Sequence, residues 1–192
     1  MSDLFALLDV PRRPWLDAEE LKDRYHAITA RLHPDVAGEV AEAGDFAEVN
    51  RAYQALSDPV ARLRHLLELE NQGALARLQA VPEEVADLFM PVAEAREAGE
   101  AFFKKRAAAV NPLSKALLST EQYKVQELVE ERIADLNTKQ DELLMAVRDA
   151  DAKWDADRPG ALSDLPRLWQ ALGYLAKWLG MLREMLLKLA GI

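Results

Sequence analysis

The chain reads as all-α, and three observations carry that reading. It is rich in Ala, Leu and Glu, and runs of β-branched residues are nearly absent. No stretch alternates apolar and polar residues as a half-buried strand would. Apolar residues recur instead at the spacing of a helix face. Half of the 192 residues are hydrophobic, enough to bury a sizeable core.

The first part predicts a helical hairpin. LFALLDV (residues 4–10) is short and apolar and should lie across the hairpin base. Asp17 then offers an N-cap, and Leu21, Tyr25, Ile28 and Leu32 line one face of the helix that follows. Pro34 stops this helix, because a residue before proline is pushed out of the α region. A loop, VAGEVAEAG, leads to DFAEVNRAYQALSDP, where Phe46, Val49, Tyr53 and Leu56 mark a second apolar face. The two faces should pack antiparallel. Asp58 and Pro59 are a cap followed by proline at the first helical position, so PVARLRHLLEL forms a further helix leading towards Gly73.

The second part predicts three longer helices. The first covers VPEEVADLFMPVAEAREAGEAFFKKRAAA, with Pro91 kinking or breaking it. NPLSKALL is a break, and Ser119 and Gln122 have capping-box spacing. From there to about Asp155, Val129, Ile133, Leu136, Leu143, Val147 and Trp154 follow an a/d-like pattern that Gln140 interrupts. RPGALSD reads as a linker, and the last helix runs from about Leu165 to the end. Short connections favour an antiparallel three-helix bundle. The domains are therefore expected at 1–74 and 75–192.

Several function classes fall away. A net charge of −9 argues against nucleic acid, which needs clustered Lys and Arg. With no cysteine there is no disulfide, thiol nucleophile or cysteine metal ligand. MSDLFALLDVPRR lacks a basic n-region and is a poor signal peptide, which leans towards a cytoplasmic location with the mitochondrial matrix as the other compartment. Lys177, Arg183, Glu184 and Lys188 argue against a membrane span in the last helix. That helix carries Leu, Trp and Met on more than one face. The excess apolar surface is expected to hold a client, mediate weak homo-oligomerisation or fill a wide core, and the acidity of the rest of the chain argues against an interfacial membrane helix.

ARLHPDVAGE holds the most chemistry-bearing stretch. His26, His33 and His65 are the only histidines and none stands at HxxxH spacing, so no metal site is expected. As a catalytic pair, His33 and Asp35 lack a nucleophile and a third group to orient the histidine. What the residues alone leave is a polar turn or a contact on which another protein docks.

A helix with a Tyr and Leu stripe, then HPD, then a loop, then NRAYQALSDPVAR resembles the J-domain of the DnaJ co-chaperones over about residues 2–70. The resemblance implies that His33, Pro34 and Asp35 dock on a DnaK-class chaperone and stimulate its ATPase. Pro34 would fix the loop backbone, Asp35 would accept a charge-assisted bond from an arginine, and His33 would offer a donor partly charged near neutral pH. The helix before HPD is usually basic in J-domains. Here Lys22, Arg24 and Arg31 are offset by Asp17, Glu19, Glu20 and Asp23, and Val36 follows HPD where a lysine is common. Electrostatic steering should be weaker, and the partner a dedicated chaperone.

The chain lacks a Gly/Phe-rich linker and CxxCxGxG repeats, and its size and order are similar to the HscB (Jac-type) family. That resemblance implies a non-enzymatic co-chaperone without a cofactor, which carries an iron–sulfur scaffold protein (IscU-like) to a DnaK/HscA-class ATPase. It implies a client site at Phe89 and Met90, followed by Glu94, Arg96 and Glu97, with Trp178 as the aromatic on the last helix. LFMPVAEAREA departs from the family pattern at Pro91, Ala93 and Ala95. Two further readings stand beside this one: the same architecture with another client, and a structural helical protein with a vestigial J-domain.

Overall fold

The computed structural model describes residues 2–32, 43–70, 81–109 and 118–191. Among them the elements are α1 (Leu4–Leu7), α2 (Ala18–Arg31), α3 (Ala43–Ser57), α4 (Pro59–Leu69), a 3-10 helix (Glu83–Leu88), α5 (Phe89–Ala108), α6 (Ser119–Ala152) and α7 (Arg158–Ala190). No strand occurs among the described residues, and the fold is all-α.

Capping chemistry sets several of the boundaries. The Asp17 carboxylate accepts from the backbone N–H groups of Glu19 and Glu20 and opens α2. Asp58 accepts from Ala61 N–H, with Pro59 at the first helical position of α4. Pro91 breaks the long apolar stretch by setting a helix start. The segment before it winds as the 3-10 helix, and α5 begins at Phe89, so the proline falls in the first turn, where its missing N–H has no intrahelical acceptor.

The last helix differs from expectation. RPGALSD is not a linker: α7 begins at Arg158 and runs through Pro166. Asp157 caps it, accepting from Gly160 N–H at 3.0 Å, while Pro159 fits the first turn.

The chain divides into two compact units, Met1–Arg77 with Met145–Trp169, and Leu78–Leu144 with Gln170–Ile192. The division expected at 74/75 falls in 71–80, outside the described residues.

In the first unit, Phe5, Leu8, Leu21, Val49, Ala52, Leu56, Leu63, Leu66 and Leu67 are buried. The expected stripe on α3 is corrected at one end: Phe46 is 45% exposed, and Ala52 takes a core position instead. The 145–169 segment brings buried Val147, Trp154 and Leu165 to this unit, together with polar contacts. Arg13 Nε donates to Asp151 Oδ1 (2.9 Å) and Trp15 N–H donates to the same oxygen (3.0 Å). Trp154 Nε1–H donates to Arg12 O (2.9 Å). Arg148 lies over the Trp15 ring and Arg158 over the Trp154 ring.

The second unit buries Val92, Ala95 and Phe102 of α5 with Val129, Leu136 and Leu143 of α6 and Leu172, Leu175, Leu179, Leu182, Met185 and Leu189 of α7. Gly99 permits close approach, since a Cβ there would overlap Met185. The Gln122 amide nitrogen donates to Leu189 O (2.8 Å), tying the start of α6 to the end of α7.

Candidate functional site

The first candidate site is the face of α2 and the residues that follow it. His33, Pro34 and Asp35 lie outside the described residues; α2 delivers the chain to them. α2 is held in place by the NxAYxxLxDPxxR residues, each of which has a structural task. Tyr25 O–H donates to Asn50 Oδ1 at 2.5 Å. The Tyr53 ring stacks on Tyr25 with centroids 4.3 Å apart. Ala52 and Leu56, on the same helix as Tyr53, are fully buried. Asp58 and Pro59 start α4.

Arg62 closes the arrangement. It is 4% exposed, and donates from Nη1 to Leu56 O (2.7 Å) and from Nε to Pro14 O (3.0 Å). Burial lowers its pKa below the ordinary arginine value, opposed by Asp58 and Asp151. Arginine remains charged at any pH where the protein folds. The cation thus satisfies the carbonyl of Leu56 in the last turn of α3.

The three expected docking cations are all exposed, but they do not form one patch. Lys22 shares a line of α2 with His26 and Thr29 (i, i+4, i+7). Arg24 shares the opposite line with Arg31 (i, i+7). Glu19, Asp23 and Ala30 occupy the outer face between them. Lys22 Nζ stands 3.6 Å from Glu19, and Arg24 Nη1 donates to Asp9 Oδ2 at 3.1 Å. The weak positive face read from composition is weaker still once these pairs are formed.

The second candidate site is on the second unit. Phe89 and Met90 are 46% and 60% exposed at the start of α5. Met90, Glu94 and Glu97 follow one line of α5 (i, i+4, i+7), and Phe89 and Arg96 follow another (i, i+7). Glu94, Arg96 and Glu97 are exposed, and Arg96 stands 3.7 Å from Glu100. Trp178 is placed differently from the others. It is only 7% exposed, with the Phe89 ring 6.3 Å away and tilted, and Tyr174 edge-on at 5.6 Å. It supports Phe89 from beneath rather than offering a surface of its own. Ala95 is fully buried, so that departure from the family pattern concerns core packing, whereas Ala93 sits half-buried beside Phe89.

Sequence reasoning gave Arg62 no role beyond its place in a pattern, and weighed His65 only as a metal ligand. His65 is buried, stacked on Phe5, and its Nε2 accepts from Leu4 N–H at 3.0 Å. Burial lowers its pKa below the ordinary histidine value. Among the described residues no group of His, Asp and Glu could hold a metal ion. Nor is any described helix long and apolar enough to cross a membrane.

Comparison with known proteins agrees with this geometry. The family model for the DnaJ domain matches residues 3–65. Over 63 residues, 33% of this chain, the sequence is 44% identical to a chaperone protein DnaJ of Thermosynechococcus vestitus. That alignment covers 16% of the relative's own length. Over 74 residues it is 38% identical to the co-chaperone protein HscB of Proteus mirabilis, covering 35% of this chain and 43% of that one. Two solved structures share the fold along the chain. HscB from Vibrio cholerae superposes with a TM-score of 0.57 at 20% identity, covering 98% of this chain and 99% of its own. Human HscB gives 0.56 at 19% identity, covering 100% and 84%.

The α2–α3 hairpin, the network around Arg62 and the family match define the first third of the chain as a J-domain. Followed along its whole length, the chain has the architecture of HscB, a J-domain joined to a helical bundle.

Proposed function

We propose that this protein is an HscB-type co-chaperone. It docks on a DnaK/HscA-class chaperone through His33, Pro34 and Asp35 and stimulates ATP hydrolysis there. It holds an iron–sulfur scaffold protein on the exposed apolar start of α5. The observation that carries the reading is the packed pair of J-domain helices α2 and α3, with HPD following α2 in the sequence, in a chain that shares the HscB fold over nearly its full length.

The protein acts by binding, and any iron–sulfur cluster is cargo of the client. Pro91, the main departure in the client segment, sits in the first turn of α5 and leaves the helix intact. Phe89 and Met90 therefore remain presented, with Trp178 as their support. The cytoplasm is the compartment this reading favours. Ala93 favours a second reading, in which the same architecture serves a different client, since it reduces the apolar surface next to Phe89.

Two measurements separate these readings. Calorimetry with an iron–sulfur scaffold protein should show binding by the wild type, and Phe89→Ala with Met90→Ala should weaken it at least tenfold, about 1.4 kcal/mol or more. Single-turnover ATP hydrolysis by a purified DnaK-class chaperone should accelerate with the wild type but not with His33→Gln. ATPase stimulation without scaffold binding would move the client assignment to the second reading. No stimulation would leave the vestigial J-domain.

A further inference from the structure

Asp9 is set apart by its backbone. It is the one non-glycine residue among those described with a positive φ, 51°. It ends α1: Asp9 N–H donates to Ala6 O (3.2 Å) and Val10 N–H to Phe5 O (3.0 Å). These paired bonds mark a helix end whose left-handed residue is ordinarily glycine. Aspartate tolerates that region better than most residues. The turn's two bonds use backbone groups alone, so the turn does not explain the carboxylate.

The carboxylate reaches α2 instead. Asp9 Oδ2 accepts from Arg24 Nη1 at 3.1 Å. Arg24 and Arg31 form the cationic line of α2, the helix that precedes HPD in the sequence. Lys22, on the other line, stands beside Glu19. Two of the three cations on the docking helix are thus engaged by acids of the same chain, one of them by a residue in a strained conformation.

Resting on the J-domain docking reading above, we propose that Asp9 is a specificity-determining residue that masks Arg24. A chaperone that recognises the helix through an acidic surface must compete with the Asp9 carboxylate for Arg24. It also meets a negative charge at the edge of the docking face. The pair is largely in water, so it contributes little to stability. Its effect falls on encounter and on partner choice, where single charges at a rim act through steering. Such a mask penalises partners that bind by charge alone and leaves binding through the HPD loop unaffected.

The test titrates a purified DnaK-class chaperone with wild type, Asp9→Asn, Arg24→Gln and the double variant, and follows single-turnover ATP hydrolysis at low and at high salt. Asn keeps the left-handed backbone and removes the charge. Asp9→Asn should lower the half-maximal concentration about two- to five-fold at low salt, and high salt should erase the gain. In the Arg24→Gln background the same change should have no effect. Asp9→Gly, which relieves the backbone as well, should behave like Asp9→Asn.

Wild-type stimulation that Asp9→Asn and Asp9→Gly leave unchanged would overturn the mask while sparing the docking reading. An equal gain with and without Arg24 would also overturn it, since the charge would then act on the face as a whole. If the wild type fails to stimulate, as His33→Gln should, the docking reading falls and the mask with it.

Discussion

Arg62 and His65 are the buried polar side chains among the described residues, and each satisfies a backbone group. Arg62 takes two carbonyls, and His65 takes the N–H of Leu4, one of the donors that the start of α1 leaves unpaired. The role of His65 depends on protonation. Nε2 can accept only while the imidazole is neutral, and burial favours that form, so the folded pKa lies below the unfolded one. Above the unfolded value of about 6.5, both states are neutral and the stabilisation is complete. As pH falls through that value towards the folded pKa, the unfolded chain binds a proton that the folded chain refuses, and stability drops. Each unit of separation between the two values is worth about 1.4 kcal/mol. His65→Gln keeps an acceptor but cannot titrate. Melting temperatures from pH 7.5 down to 5.5 should therefore decline less steeply for the variant than for the wild type. Parallel declines would remove His65 from the account. None of this was legible in the sequence, because one histidine on an apolar face looks the same whether it accepts a bond, binds a metal or faces solvent.

At the scale of elements, the start of α7 shows which local signals could be read and which could not. Asp58 before Pro59 was recognisable as a helix start, and Asp157 before Arg158 and Pro159 obeys the same rule. The second case was misread because Gly160 follows, and proline with glycine looks like a breaker. Gly160 serves the cap instead: a Cβ there would overlap the Asp157 carboxylate, which accepts from Gly160 N–H. Two changes follow from that geometry. Asp157→Ala removes the cap and should cost about 1 kcal/mol. Gly160→Ala gains helix propensity of about 1 kcal/mol but displaces the cap, so it should leave stability nearly unchanged. Thermal or urea unfolding of the two variants measures both. A clear stabilisation by Gly160→Ala would show that the cap contributes little. The client segment had the reverse history. Pro91 looked like an interruption, yet it falls in the first turn, so Phe89, Met90, Glu94, Arg96 and Glu97 share one continuous helix, while the burial of Trp178 was not foreseeable from its place on a many-sided apolar helix.

For the molecule as a whole, the chief surprise is that 145–169 belongs with the first unit. Periodicity reports which face of a helix is buried, but not against what, so a division drawn by chain order could not see this. The segment buries Val147, Trp154 and Leu165 and adds specific polar contacts. Asp151 is 13% exposed and accepts from both Arg13 Nε and Trp15 N–H, while Trp154 and Arg158 add a hydrogen bond to Arg12 O and an ion pair to Glu70. If these contacts are part of one cooperative unit, the J-domain should depend on them. Asp151→Ala leaves the Trp15 N–H and the Arg13 guanidinium without this acceptor, and a partly buried donor deprived of its partner costs about 1–3 kcal/mol. The melting temperature of the full chain should fall, and hydrogen exchange should quicken in α1 and α2 in particular. A fragment of residues 1–77, which lacks Asp151, Trp154 and Arg158 altogether, should melt below the corresponding transition of the full chain. Equal stability of the fragment and indifference to Asp151→Ala would mean that the J-domain folds on its own, with 145–169 resting on it and adding nothing.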